Sequence, residues 1–115
     1  MSDDCLFCKI TAGKMDTEFV YEDSDLVAFK DINPMAPVHI LIVPKKHIPT
    51  INDLKKTDTV LVGEMIQIAK RIAKEQNIAD EGYRLVFNCG KMGGQEVDHL
   101  HLHLLGGRQM KWPAG

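Results

Sequence analysis

The segment His99-Leu100-His101-Leu102-His103-Leu104 constrains the fold of this chain more than any other feature. Histidine and leucine alternate there with the two-residue period at which the side chains of a β-strand change faces. We predict a last strand over His99–Leu105, stopped by Gly106-Gly107, with its leucines in the core. The three imidazoles then share the other face. Because buried imidazoles need polar partners, this face predicts a functional site.

The other elements follow from apolar periodicity, turn residues and capping residues. We expect one long helix, from Thr57 or Asp58 to about Gln76, and a short amino-terminal helix over Cys5–Thr11 capped by Asp3 or Asp4. The remaining strands are expected at Phe19–Tyr21, Leu26–Phe29, His39–Val43 and Tyr83–Asn88. Five strands without strand–helix–strand alternation indicate an α+β fold, in which the long helix covers one face of a mainly antiparallel sheet.

Size and charge narrow the possible functions. A chain of 115 residues has the size of one domain, so we expect a single domain over 1–115. A net charge of −2 disfavours a general nucleic-acid binder, and no apolar run of about 18 residues predicts a membrane span. The acidic start Met1-Ser2-Asp3-Asp4 lacks the basic and apolar regions of a signal peptide, and three cysteines do not make a disulfide framework. We therefore expect a cytoplasmic protein without nucleic-acid or membrane partners.

Two kinds of chemistry suit three histidines on one face. They can bind a catalytic zinc ion, or one neutral imidazole can attack phosphorus while its other nitrogen donates to a carbonyl. The loop over residues 88–97 favours phosphorus, because Gly90, Gly93 and Gly94 let backbone N–H groups approach an anion closely. Side-chain amides stand near both ends of this loop, at Asn88 and Gln95.

The histidine strand resembles the signature of the histidine-triad family, in which His, apolar, His, apolar, His is followed by two apolar residues. The resemblance extends over nearly the whole chain. The segment from Asp31 to His39 is similar to the nucleoside-binding segment of the family. Gly93-Gly94-Gln95 and the tail from Gly106 to Pro113 resemble the branch of histidine-triad nucleotide-binding proteins.

This resemblance implies a hydrolase that cleaves purine nucleoside 5′-phosphoramidates at the α-phosphorus. His101 would be the nucleophile that forms a nucleotidyl-histidine intermediate, His103 would hydrogen-bond near the phosphate, and His39 would position the triad. Asp31 would accept both ribose hydroxyls. Apolar walls of the base pocket would come from Leu6, Phe7, Ile10, Phe29 and Ile32, and phosphate contacts from Asn88, Gly94, Gln95, Glu96 and Val97.

Two positions depart from the family pattern. Many relatives carry serine where this chain has Glu96, and Asp98 stands where relatives often have an aromatic residue. A carboxylate at position 96 would repel a phosphate if it pointed inward. We therefore expect Glu96 to point outward or to favour a cationic leaving amine.

Cys5 and Cys8 are three residues apart, so they share one face of the expected helix. The pair alone is weak evidence, because small buried thiols are common. Some bacterial members of the family have the same two cysteines together with a structural zinc. The resemblance therefore implies a closed zinc site of Cys5, Cys8, His47 and His99. The alternative is an empty thiol pair with His99 merely packed, and Cys89 is expected to be a spectator.

The resemblance also implies a homodimer joined through the long helix and a strand. Val60, Val62 and Ile66 extend the apolar surface of that helix beyond its core stripe, as interfaces do. Three other functions stay open at this point. They are a nucleotide-binding or scaffold module with vestigial hydrolysis, a dinucleoside polyphosphate hydrolase, and a zinc hydrolase with His99, His101 and His103 on one metal.

Overall fold

The computed structural model of the protein describes residues 4–115. Two helices flank one sheet: α1 spans Leu6–Thr11 and α2 spans Thr59–Glu75. Two short 3₁₀ turns, Ile51–Asp53 and Lys56–Asp58, lead into α2. Within the described residues, no helix is long and apolar enough to cross a membrane. The five strands are β1 (Tyr21–Glu22), β2 (Leu26–Lys30), β3 (Val38–Pro44), β4 (Tyr83–Phe87) and β5 (Leu102–Gly106).

The sheet is antiparallel throughout, with the spatial order β1-β2-β3-β5-β4. The expected hairpin of β1 and β2 is present and pairs Tyr21 with Ala28. The central strands β3 and β5 place Leu41 opposite His103 and His39 opposite Leu105. The α+β fold expected from the sequence is confirmed.

The two faces of the sheet carry separate apolar clusters. On one face, α2 packs Met65, Ala69, Ile72 and Ala73 against a cluster that contains Leu102 and Leu104 of β5 and, just before this strand, Leu100. On the other face, Phe7 and Ile10 of α1 pack against a cluster that contains Val27, Phe29, Leu41 and Val43. Since the leucines of the His-Leu alternation lie on the α2 face, the histidines lie on the α1 face, as the period of two predicts.

Two local expectations were wrong. The last strand begins at Leu102 rather than at His99, because the N–H of Leu100 donates to the carbonyl of Ile48 and the chain bends before it joins the sheet. The cap of α1 is Cys5, whose Sγ accepts from the N–H of Cys8 at 3.3 Å. Asp4 does not cap the helix, and Asp3 lies outside the described residues.

Candidate active site and metal centre

His101 lies directly before β5, and the backbone fixes the position of its proton. Its Nδ1 is 2.7 Å from the carbonyl oxygen of His99, so Nδ1 carries the proton and donates it. The neutral ring then keeps a lone pair on Nε2, the atom a nucleophile uses. Burial lowers the pKa of His101, against the opposing effects of the His99 carbonyl and of the carboxylates of Asp31 and Glu96. The ring of Phe7 packs edge-on against this imidazole, with centroids 5.0 Å apart.

A chain of hydrogen bonds assigns the protons of His103 and His39. The N–H of Met35 donates to Nδ1 of His39 at 3.0 Å, so a neutral His39 carries its proton on Nε2. That nitrogen is 2.9 Å from Nδ1 of His103 and donates to it. The proton of a neutral His103 is therefore on Nε2. Burial, together with the nearby imidazoles of His101 and His39, lowers the pKa of His103 to about 4, against a smaller opposing effect of the Asp31 carboxylate.

Asp31, His39 and His103 each have a possible metal-ligand atom, and these atoms lie within 4.8 Å of one another. The hydrogen bonds of the group nevertheless argue against a metal ion. The N–H of Met35 already occupies the Nδ1 lone pair of His39. A metal on Nε2 of the same ring would displace its only proton. The 2.9 Å between the two ring nitrogens is also shorter than the separation of about 3.3 Å between nitrogen ligands of tetrahedral zinc. These residues suit a hydrogen-bond chain better than a metal.

Cys5, Cys8, His47 and His99 form a second cluster, and its geometry fits a metal ion. The Nε2–H of the fully buried His99 donates to the carbonyl of Pro44 at 2.7 Å, which leaves the Nδ1 lone pair for the cluster. That Nδ1 is 3.2 Å from Nδ1 of His47 and 3.3 Å from Sγ of Cys5. Tetrahedral zinc holds such ligand pairs about 3.3 and 3.6 Å apart.

An open cleft reaches this cluster from outside. Its volume is about 530 Å³, and its lining includes Cys8, His47, Lys45 and Lys46. A metal ion therefore has a route to two of the four ligands without any opening of the core. Among residues 4–115, His101 belongs to neither group that could hold a metal, so the three histidines do not converge on one metal as a zinc hydrolase would require.

A cleft of about 240 Å³ opens beside His101 and His103. It gathers most of the residues expected to bind substrate: Leu6, Phe7, Ile10, Phe29, Asp31, Ile32, Glu96 and Val97. The same cleft is also lined by four residues that were not among those expected to bind substrate: Thr17, Lys30, Asn33 and Leu41. Leu41 was within reach of sequence reasoning, because it pairs with His103 across β3 and β5 on the histidine face. Asn88, Gly94 and Gln95 lie outside this lining.

The side chain of Gln95 is fully used in holding the glycine-rich loop. Its Oε1 accepts from the N–H of Gly90 at 2.9 Å, and its Nε2 donates to the carbonyls of Pro49 and Val97 at 2.7 and 2.9 Å. Gly90 has a φ of 74°, a conformation that suits glycine. Gln95 therefore positions the loop, and an anion would compete with these bonds for its amide.

The backbone N–H groups of Glu96 and Val97 have no hydrogen-bond acceptor within residues 4–115. The side-chain amide of Asn88 likewise has no partner in that range. Since Glu96 and Val97 line the cleft, their N–H groups are candidate donors to an anion bound there.

The proton chain leads to a first prediction. At pH 7 the ring of His103 should be neutral with its proton on Nε2, and it should titrate near pH 4. Because this pKa lies below the 6.5 of an exposed imidazole, the unfolded chain binds more protons between these values. The contribution of His103 to the free energy of unfolding is therefore fully present above pH 6.5, and it is lost as the pH falls from 6.5 to about 4. Nitrogen-15 chemical shifts of the ring distinguish the tautomers, and a midpoint above 6 would contradict the assignment.

The chain is similar to known proteins over most of its length. The family model described as scavenger mRNA decapping enzyme, C-terminal binding, matches residues 4–113. A purine nucleoside phosphoramidase of Escherichia coli (strain K12) is 46% identical over 110 residues, which cover 96% of this chain and 92% of the relative. An uncharacterized HIT-like protein of Synechocystis is 45% identical over 115 residues, covering the full length of both chains.

Solved structures share the fold. A HIT family hydrolase from Legionella pneumophila has a TM-score of 0.95 and 54% identity, and the match covers 97% of this chain and 100% of that one. A histidine triad protein from Clostridium difficile has a TM-score of 0.93 and 43% identity, with 96% of each chain covered. The chain belongs to the histidine-triad (HIT) family.

Proposed function

We propose that the protein hydrolyses purine nucleoside 5′-phosphoramidates through a covalent nucleotidyl-histidine intermediate on His101. The observation that carries this proposal is the 2.7 Å bond from Nδ1 of His101 to the carbonyl of His99, which leaves an unprotonated Nε2 in a cleft. The E. coli relative, named a purine nucleoside phosphoramidase, supports the same substrate class.

The reaction has two steps. The Nε2 lone pair of His101 attacks the α-phosphorus, the P–N bond to the amine breaks, and the departing nitrogen takes up a proton from solvent. Water then attacks the same phosphorus, the P–Nε2 bond breaks, and the water returns a proton to solvent. The products are the free amine and the nucleoside 5′-monophosphate, and His101 is neutral again.

Three N–H groups of the cleft support the proposal as donors to the phosphoryl oxygens. The unpaired N–H groups of Glu96 and Val97 line the cleft, and the Nε2–H of His103 adds a third donor on its lining. Donors that need no rearrangement stabilise the charge that develops on phosphoryl oxygens, which is usually a large contribution to catalysis. His39 holds the tautomer of His103 and so acts as a positioning residue.

The nucleoside would lie between the apolar wall and Asp31. Phe7 and Phe29 pack edge-to-face, 5.7 Å between centroids, and with Leu6 and Ile10 they offer an apolar surface to a purine. Asp31 accepts from the N–H of Asn33 through Oδ1, so its carboxylate is held at the cleft, where we propose that it accepts the ribose hydroxyls.

Replacing His101 by Asn tests the mechanism. Turnover of adenosine 5′-phosphoramidate should fall by at least 1,000-fold, on the order of the loss seen when a nucleophile is removed, while AMP still binds. Mass spectrometry of a rapidly quenched wild-type reaction should show one adenylyl group on His101. An adduct on another residue, or turnover that survives in the variant, would exclude His101 as the nucleophile.

We also propose that Cys5, Cys8, His47 and His99 bind a structural zinc ion. Two thiolates and two imidazoles suit the borderline-soft Zn²⁺, and four protein ligands leave no open position for chemistry. The N-cap residue of α1 and a buried residue of the bend before β5 both contribute ligands, so the ion would join α1 to the sheet.

Purified without chelator, the protein should carry close to one zinc ion per chain. Replacing both Cys5 and Cys8 by Ser should lower the metal content and the melting temperature, because metal binding contributes folding free energy. Hydrolysis should stay measurable at low temperature. Cys89→Ser is the matched control, since Cys89 lies outside the cluster, and it should keep its zinc. A stable double variant beside a metal-free wild type would refute the site.

A homodimer is the third part of the proposal. Val60 and Ile66 on α2 are 71% and 44% exposed, and β4 lies at an edge of the sheet. An exposed apolar helix face and an unpaired strand edge are both features that a second copy would cover.

If the protein is a homodimer, sedimentation at micromolar concentration should give a molecular mass of about 26 kDa, twice the chain mass of 12.9 kDa. Val60→Asp with Ile66→Asp should shift the protein toward the monomer, because it places charges in the proposed interface. Met92→Asp is the control, since this fully exposed methionine lies on the glycine-rich loop. A wild-type monomer at these concentrations would count against the dimer.

A further inference from the structure

Glu96 has an unusual place in the cleft. It lines the same cavity as His101 and His103, yet its carboxylate forms no ion pair and no hydrogen bond within residues 4–115. Asp31, the other carboxylate of the lining, is occupied by the N–H of Asn33 and by the nearby ring of His39. Glu96 is thus the carboxylate of the lining that has no hydrogen bond and no ion pair with another group among residues 4–115.

Glu96 lies beside the proposed nucleophile, because Glu96, His101 and His103 line the same cleft. The two other histidines of the site add little positive charge, because burial lowers the pKa of His39 and of His103. Lys30 is the one lysine of the lining.

A bare carboxylate beside a phosphoryl anion is unfavourable unless the substrate brings its own cation. The phosphate contributes negative charge, and Glu96 adds to it in a cleft with a single lysine. A positive group on the departing amine would offset both, because opposite charges attract over several ångströms at a partly exposed site. The base and the ribose have no such group to offer.

We propose that Glu96 is a specificity-determining residue that favours phosphoramidates whose leaving amine carries a second, positively charged ammonium group. Amines of this class are diamines and basic amino acids. The inference rests on the proposed hydrolysis at His101 and adds the chemistry of the leaving group to it.

The test compares two adenosine 5′-phosphoramidates of equal length, one made from cadaverine and one from hexylamine. They differ only by a terminal ammonium group in place of a methyl group. The wild-type protein should prefer the cadaverine compound by about fivefold in kcat/KM, as expected for a partly solvated charge pair. Added salt should reduce this preference, because it screens the pair.

Glu96→Gln should bring the ratio of the two kcat/KM values close to one, because it removes the charge that distinguishes the two compounds. A circular-dichroism spectrum and melting temperature like those of the wild type show that the variant is folded. Asp98→Asn is the matched control, since Asp98 is an exposed carboxylate two residues away that does not line the cleft, and it should keep the preference.

Three results would overturn the inference. The wild-type ratio is one, Glu96→Gln keeps the wild-type ratio, or Asp98→Asn loses it as completely as Glu96→Gln does. Failure of the proposed function looks different, because then neither compound is hydrolysed by any of the three proteins.

Discussion

The hydrogen bond from Nδ1 of His101 to the carbonyl of His99 is the interaction on which the site depends. It leaves the lone pair on Nε2, and it requires the backbone of His99 to bend before the sheet begins. That bend is held from two sides: the N–H of His99 donates to the carbonyl of Val97, and the N–H of Leu100 donates to that of Ile48. Gln95 adds its bonds to Pro49 and Val97. A tautomer of one ring is thus maintained by contacts between two distant segments.

His99 contributes to the cluster of Cys5, Cys8 and His47 through its ring, and to the cleft through its carbonyl group. Its carbonyl orients His101, while its ring donates to the Pro44 carbonyl and turns Nδ1 toward Cys5 and His47. Helix α1 is shared in the same way, because Phe7 lies between the two cysteines in sequence and packs against His101. The cluster of Cys5, Cys8, His47 and His99 and the cleft are therefore neighbours that use the same two segments, although no residue uses one atom for both. This separation lets a metal affect the fold without touching the reacting atoms.

The period of two in the last strand predicted which face carries the histidines, and the apolar period of the long helix predicted that one side of it covers the sheet, as Met65, Ala69, Ile72 and Ala73 do. Both predictions succeeded because burial on one side forces such periods. The start of β5 and the hydrogen bonds of Gln95 were not predictable in this way. They depend on the carbonyl groups of Ile48 and Pro49, roughly fifty residues away in the chain. A backbone carbonyl has the same chemistry at every residue, so no local sequence pattern identifies these two as acceptors. The metal cluster came from family resemblance, since spacing alone related only its two cysteines.

The electrostatics of the cleft follow from burial rather than from the number of ionisable groups. Three imidazoles would suggest a cationic site, but burial lowers the pKa of His39, His101 and His103, and a backbone N–H or carbonyl fixes where the protons of the first two reside. Neutral rings act by lone pair and by N–H donation, so the net charge of the lining is set by Lys30, Asp31 and Glu96. Asp31 is tied to the backbone and to His39, and Glu96 is not. With neutral rings, the proposed recognition of the phosphate falls to directed N–H donors, and the proposed recognition of a charged leaving amine falls to Glu96, the carboxylate of the lining that has no partner among residues 4–115.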